Sequence, residues 1–124
     1  MADNYSNKTV SNLFYLNELA KGDPDFVKEM IDIFLVDNKE EIQVLEKSIQ
    51  NQDYLSIKEI AHKMKSTVAF VGIDKLIENE LGEIERLTLD KSEIQKIEGL
   101  FVKVKDICQK AAEELKPKLE ILEE

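Results

Sequence analysis

Apolar residues recur along the chain at intervals of three or four positions, separated by polar and charged residues. This spacing gathers apolar side chains on one face of an α-helix, whereas a half-buried strand alternates at every second residue. No stretch of the sequence shows convincing alternation. The pattern therefore predicts an all-α fold in which one short helix is followed by four longer helices.

Capping signals predict the boundaries of the first helices. Ser11 is expected to cap the short helix and Gly22 to stop it. Asp23 followed by Pro24 is a start signal for the second helix, because an aspartate caps well and a proline at the first helical position loses no hydrogen bond. Asp53 is expected to cap the third helix.

Similar signals divide the second half of the chain. The third helix is expected to stop near Gly72, and Asp74 opens the fourth. Ser92 resembles the start of a capping box for the last helix. Pro117 should kink or end that helix, so residues 117–124 are expected to form a frayed tail. Residues 1–10 are expected to be flexible.

The four longer segments each carry an apolar stripe wide enough for a globular core. Short connections make neighbouring helices antiparallel, which predicts an antiparallel up-down-up-down four-helix bundle with a short additional N-terminal helix. Residues 1–124 are expected to form a single domain. The predicted core positions are Phe26, Met30, Ile33, Phe34, Leu45 and Ile49; then Ile57, Ile60, Ala61, Met64, Val68 and Val71; then Leu76, Ile77, Leu81, Ile84 and Leu87; and finally Ile94, Ile97, Phe101, Val104, Cys108, Ala111 and Leu115.

The composition restricts the classes of partner. The formal net charge of −9 argues against nucleic-acid binding, which usually relies on a basic face, and it also disfavours anionic membranes. Cys108 is the only cysteine, so neither an internal disulfide nor a cysteine metal cluster can form. We find no signal-like N-terminus and no apolar run of membrane length. These features predict a cytoplasmic protein.

The only histidine, His62, lies in the third predicted helix. With about 100° of rotation per residue, it lies roughly 150° from the centre of the apolar stripe. We therefore expect its side chain to face solvent, where it is either a functional group or an ordinary surface residue.

The helix face around His62 differs from an ordinary solvated surface. It is locally basic on an acidic protein, and it carries two apolar residues, Leu55 and Phe70. Small residues, Ser66 and Ala69, leave room for another protein to approach. An exposed imidazole beside lysines is suited to holding an anion, such as a phosphoryl group, during docking. This geometry alone leaves open whether His62 is functional. The other neighbours are Lys58, Glu59, Lys63 and Lys65.

The segment "AHKMKSTVAFVG", residues 61–72, resembles the signature of histidine-containing phosphotransfer (HPt) domains. That signature has Ala-His, an apolar residue and Lys, then Gly or Ser, and a Gly ten residues after the His. The upstream segment "GDPDFVKEMIDIFLVDNKEEIQVLEKSIQNQDYLSIKEIAHKMKS" is also similar to the family, and the resemblance covers most of residues 11–87. The matching signature residues are Ala61, His62, Met64, Lys65, Ser66 and Gly72.

The resemblance implies a four-helix bundle that acts as a phosphorelay intermediate. His62 would accept a phosphoryl group from a receiver-domain aspartate and pass it to another receiver aspartate, or return it. Lys65 and Ser66 would lie beside the phosphoryl group. The implied docking residues are Leu55, Lys58, Glu59, Lys63, Ala69 and Phe70.

Many family members place a polar residue on the following helix, where it holds the imidazole. In "ENELGEIERL" this position falls on Glu85 if one residue is inserted in the alignment, whereas another placement puts an apolar residue there. Glu85 is the candidate imidazole-orienting residue.

The resemblance also implies the partners. These are response-regulator receiver domains and a hybrid histidine kinase, with Mg²⁺ bound by the receiver and no metal or cofactor on this chain. The sequence has no Gly-rich nucleotide-binding loop, so the protein is expected to be a phosphocarrier and not a kinase. It is expected to act as a monomer.

Two other functions compete with this interpretation. A phosphorylation-independent helical adaptor would bind receiver or kinase domains through the same face, although the intact His62 and Lys65 argue against it. A metal or haem bundle lacks ligands, because the Glu-x-x-His spacing of such bundles occurs once, at Glu59 and His62, and both residues are expected to face outward.

Overall fold

The computed structural model describes residues 9–123, which contain five helices and no strand. The all-α prediction is therefore confirmed for this range. No helix among these residues is long and apolar enough to cross a membrane. The helices are α1 (Phe14–Ala20), α2 (Pro24–Gln50), α3 (Tyr54–Ala69), α4 (Asp74–Leu87) and α5 (Ile94–Glu123).

The four long helices pack around one core. Helix α2 contacts α3 and α5, helix α4 contacts the same two helices, and the short α1 lies against α2. Each long helix contributes fully buried apolar side chains, and burying each one stabilises the fold by about 1.5–3 kcal/mol relative to exposure. The largest of these include Phe34, Leu45, Ile57, Met64, Ile77, Leu81, Ile97 and Ile107.

Most predicted core positions are buried, but α2 shows a difference. Ile33 is 42% exposed, so the prediction that it lies in the core is wrong. The buried stripe instead continues from Phe34 back through Ile31 and Val27, at helical spacings of three and four residues. Ile33 is about 100° away from Phe34 and so faces the side of the bundle.

The predicted caps of α2 and α3 are confirmed, and the other two are wrong. The Asp23 carboxylate accepts from the Asp25 N–H at 3.0 Å, and Asp53 accepts from the Ser56 N–H at 3.2 Å. Ser92 forms no capping box, because its hydroxyl donates to Asp90 at 2.7 Å. Ser11 does not cap α1 either, since its hydroxyl donates to the Glu114 carboxylate on α5.

Helix α5 continues beyond Pro117 to Glu123, so the proline does not end it. Pro117 and Glu113, the residue four positions earlier, are both exposed. Water can therefore hydrate the carbonyl that loses its helical donor. Of the segment predicted to be flexible, residues 1–8 lie outside the described range, whereas Val10 at its end is buried.

The lone thiol, Cys108, lies in the core on α5 and is 1% exposed. Burial raises the pKa of Cys108 to about 12. The side chain therefore packs as a small apolar group, as its position in the predicted stripe suggested.

Residues 10–13 form an N-terminal strap that crosses the bundle before α1 begins. The Asn12 N–H donates to the Val71 carbonyl at 2.7 Å. The next residue, Gly72, has a φ of +77°, and a Cβ added to it would lie 2.4 Å from the Asn12 carbonyl oxygen. The glycine at the end of the signature segment therefore combines a left-handed backbone with close packing against the strap.

We expect Gly72→Ala to destabilise the protein more than Gly22→Ala. Gly22 also has a positive φ, of +89°, but an added Cβ there meets no atom within 4 Å, so this substitution isolates the backbone strain of about 1–2 kcal/mol. Gly72→Ala adds a clash with the strap. The measurement is the free energy of unfolding by urea, and equal losses in the two variants would contradict this account of Gly72.

Candidate functional site

His62 lies on the outer side of α3, and its side chain is 73% exposed. The opposite side of the same helix carries Ile57, Ala61, Met64 and Val68, all fully buried. This arrangement follows from helical rotation, since His62 lies away from the stripe that the core requires. A macromolecular partner can reach the imidazole without any movement of the bundle.

Glu85 on α4 joins the exposed face of α3 to its neighbouring helix. One carboxylate oxygen, Oε2, lies 3.1 Å from Nδ1 of His62, and the other, Oε1, lies 2.6 Å from Nζ of Lys65. Glu85 follows the buried Ile84, so it sits at the edge of the α4 stripe, where α4 packs against α3. The structure thus brings together the three residues His62, Lys65 and Glu85.

The Glu85 carboxylate is 20% exposed and charged. Partial burial alone raises the pKa of Glu85, but the hydrogen bonds and charges of Lys65 and His62 outweigh burial and lower it. An ionised carboxylate can only accept hydrogen bonds. A hydrogen bond to His62 therefore requires the proton on Nδ1, which leaves the Nε2 lone pair free in the neutral ring.

Gly82, three residues before Glu85, was not predicted to be part of this site. It is half-buried on α4, and a Cβ added there would lie 3.9 Å from the Lys65 ammonium. A glycine in a helix interior lowers helix stability by about 1 kcal/mol relative to alanine. In the sequence, Gly82 stands out only as a glycine that weakens the interior of a helix. In the structure, it lies close to Lys65, the lysine one turn after His62.

The remaining predicted site residues lie on or beside the same face. Ser66, Lys58 and Glu59 are exposed, and the exposure of Glu59 agrees with the argument against an inward metal site. Lys63 approaches α2, since its Nζ is 4.0 Å from Glu41 Oε2. Leu55 is exposed, whereas Ala69 and Phe70 are half-buried at the other end of the helix.

Two aromatic residues of α1, which were not among the predicted site residues, extend this face. Phe14 is 69% exposed, and Tyr15 is also exposed. The Tyr15 ring lies 6.3 Å from the ring of Phe70, between centroids, at an interplanar angle of 37°. Phe14, Tyr15 and Ala69 line a common hollow of about 330 Å³. In the sequence, these residues could have been noticed as two adjacent aromatic residues at the start of a short helix.

Glu41, which is buried between α2 and α3, was also not predicted to be part of the site. It is 2% exposed, and its Oε2 accepts from the Thr67 hydroxyl at 2.8 Å. Burial raises the pKa of Glu41 more than the Thr67 hydrogen bond and the Lys63 charge lower it. This carboxyl group therefore titrates at the contact between α2 and α3, the helix that carries His62.

The family of Hpt domains matches residues 29–116, which is more than half of the 124 residues. The chain belongs to the Hpt domain family, whose role is phosphotransfer in two-component signalling. The matched range contains α3 and α4, hence His62, Lys65 and Glu85, but it begins after α1. No curated protein and no solved structure matches the chain.

The raised pKa of Glu41 predicts a pH dependence of stability. The folded protein retains the proton at pH values where the unfolded chain, with a pKa near 4.5, has released it. The contribution of Glu41 to the free energy of unfolding therefore falls as the pH rises above about 4.5. Glu41→Gln keeps an acceptor for Thr67 but does not titrate.

We expect the Glu41→Gln variant to gain stability relative to the wild type between about pH 4 and pH 7. Urea unfolding of both proteins at several pH values measures this difference. Glu83→Gln is the control, because Glu83 is partly exposed on α4 and its pKa is lowered, mainly by a hydrogen bond from Arg86. A difference between Glu41→Gln and wild type that does not change with pH would contradict the burial argument.

Proposed function

We propose that this protein is a phosphorelay intermediate in which His62 carries the phosphoryl group. His62 accepts the group from a receiver-domain aspartate and passes it to another receiver aspartate, or returns it. The observation that carries the proposal is the exposed imidazole held by Glu85 within a segment that matches the family.

The nucleophile in this proposal is Nε2, and the support is the hydrogen bond between Nδ1 and Glu85, which leaves Nε2 free. The Nε2 lone pair attacks the phosphorus of the aspartyl phosphate, the phosphorus–oxygen bond to the aspartate breaks, and the aspartate leaves as a carboxylate. The ring gains one positive charge, which the Glu85 carboxylate offsets through the retained Nδ1–H. No proton needs to move, and the reverse sequence returns the group to a receiver.

Lys65 and Ser66 have different tasks in this proposal. The Lys65 ammonium is partly exposed beside Glu85, so it can also offset the charge of the phosphoryl group. Ser66, one turn after His62, is small and exposed and permits close approach. Mg²⁺ belongs to the receiver, and the residues of this chain supply orientation and charge.

The docking face of the proposal surrounds His62 on α3. A transient complex needs only a modest interface with an apolar centre and a polar rim. Leu55 supplies exposed apolar area on the N-terminal side of His62. The half-buried Ala69 and Phe70 supply apolar area on its C-terminal side. The rim residues are Lys58, Glu59 and Lys63.

The proposal includes the wider setting of the protein. The four long helices run up-down-up-down, which is supported by the brief connections between them, such as residues 51–53 between α2 and α3. The chain acts as one domain and as a monomer in the cytoplasm, receives its phosphoryl group within a relay headed by a hybrid histidine kinase, and works without a cofactor of its own.

We expect a phosphorylated receiver domain to transfer label to the wild type and not to His62→Gln. The label should be acid-labile and base-stable, because a phosphorus–nitrogen bond to imidazole has formed. Circular dichroism checks that the variant is folded. Label on both proteins, or on neither with several receivers tried, would contradict the proposal, and binding without transfer would favour a phosphorylation-independent adaptor.

The orienting role of Glu85 predicts different effects of two substitutions. Glu85→Ala removes the hydrogen bond and the charge, and we expect transfer to slow about tenfold or more, since a charge-assisted hydrogen bond contributes about 1.5–3 kcal/mol. Glu85→Gln keeps an acceptor for Nδ1–H, so its loss should be smaller. Nitrogen NMR of the His62 ring should show the Nδ1–H tautomer in the wild type and in Glu85→Gln.

Glu83→Gln is the matched control for this experiment, because Glu83 lies on the same helix and pairs with Arg86. We expect its transfer rate to stay within about twofold of the wild type. An Nε2–H tautomer in the wild type, or equal rates in Glu85→Ala and Glu83→Gln, would overturn the assignment of Glu85.

A further inference from the structure

The N-terminal strap, residues 10–13, is fastened to α5 by a single carboxylate. Glu114 Oε2 accepts from the Val10 N–H at 2.8 Å. Glu114 Oε1 accepts from the Ser11 N–H at 2.8 Å and from the Ser11 hydroxyl at 2.5 Å. Three donors of one short segment therefore converge on one half-buried side chain, an arrangement that fixes the segment far more specifically than apolar contact does.

The other end of the strap is fastened beside the end of α3. The Asn12 N–H donates to the Val71 carbonyl, and Gly72 lies directly against the Asn12 backbone. The Asn12 side chain then accepts from the Phe14 N–H at 2.8 Å, at the first residue of α1. The strap thus connects α5, the α3–α4 connection and the start of α1.

Helix α1 is anchored mainly in its middle and at its end, where it packs against α2. It is seven residues long, and a helix of that length is not stable alone. Only Leu16 and Ala20 of α1 are buried. Phe14 and Tyr15 are exposed and lie in the first turn of α1, directly after the strap, so the strap helps to set the position of their rings.

That position bears on the face around His62. Phe14 and Tyr15 share a hollow with Ala69, and Tyr15 lies against Phe70. Ala69 is seven residues after His62, which places it almost in line with the histidine and about 10 Å along the helix axis. The aromatic pair is therefore continuous with the docking face proposed above.

We propose that Glu114 is a positioning residue for receiver docking. Through the strap it sets the position of α1, so that Phe14 and Tyr15 extend the docking face toward the receiver domain. This inference rests on the proposed function. Glu114 takes no part in the chemistry at His62, so its loss should weaken docking and leave the reactivity of the imidazole unchanged.

The experiment compares Glu114→Ala with Glu80→Ala. Glu80 is also a half-buried glutamate, and it accepts from Lys103 between α4 and α5, away from the strap. Each protein is labelled by a phosphorylated receiver at a series of receiver concentrations, and separately by phosphoramidate, a small phosphoryl donor that needs no docking face. Amide hydrogen exchange of residues 10–20 reports whether the strap and α1 remain protected against the bundle.

In Glu114→Ala we expect faster amide exchange in residues 10–20 and a KM for the receiver raised about fivefold or more. The kcat and the phosphoramidate rate should stay within about twofold of the wild type. In Glu80→Ala, all four quantities should remain near the wild-type values. An unchanged KM despite a released strap, or equal losses with both donors, overturns the positioning role.

Two further variants test the same inference, also in the case that Glu114→Ala does not fold. If Glu114→Ala does not fold, Ser11→Ala removes one of the three hydrogen bonds and should raise the KM in the same direction. Phe14→Ala alters only an exposed ring, should also raise the KM, and should add little to Glu114→Ala, because both act through α1. Full additivity overturns the inference.

The outcomes also separate this inference from the proposed function. Absence of label on the wild type from both donors overturns the phosphocarrier role, and this inference with it. Normal labelling of the wild type, together with a wild-type KM in Glu114→Ala and Phe14→Ala, overturns only the inference about Glu114.

Discussion

The Glu85 carboxylate on α4 interacts with two residues of the neighbouring helix α3 at once, and the arrangement of the site depends on this constraint. His62 and Lys65 are three residues apart on α3, so they lie on one face and can reach the two oxygens of one carboxylate. The lysine helps keep that carboxylate ionised, and the ionised carboxylate determines which imidazole nitrogen holds the proton. The Glu85 carboxylate thus links the packing of α3 on α4 to the orientation of the His62 imidazole.

The bundle holds α3 rigidly through its buried side and leaves His62 accessible on the opposite side. The core behind α3 is closed, with Ala61 and Met64 on either side of His62 in the sequence and fully buried. The imidazole itself stays in solvent and is restrained by one hydrogen bond. In the proposed relay, several partners would have to reach the histidine in turn, and an open histidine on a rigid helix suits that role better than a pocket that closes around one ligand.

Local signals predicted much of this structure, and long-range contacts account for what they missed. Periodicity identified the helices and the outward position of His62, because both depend on rotation within one helix. Ser11 was interpreted as a cap because no local pattern reveals its bonds to Glu114, a residue 103 positions away. Glu41 was omitted from the α2 core because a carboxylate rarely occupies a buried stripe without a partner from another helix. Glu85 needed the family resemblance.

The buried thiol of Cys108 should not compete for the thiol-reactive labels that are used in spectroscopy. A group 1% exposed, with a pKa of about 12, presents almost no thiolate to maleimides at neutral pH. A cysteine introduced at an exposed position such as Lys58 would therefore take a fluorophore or spin label selectively. The approach of a second molecule to the histidine could then be followed in real time without first deleting the native cysteine.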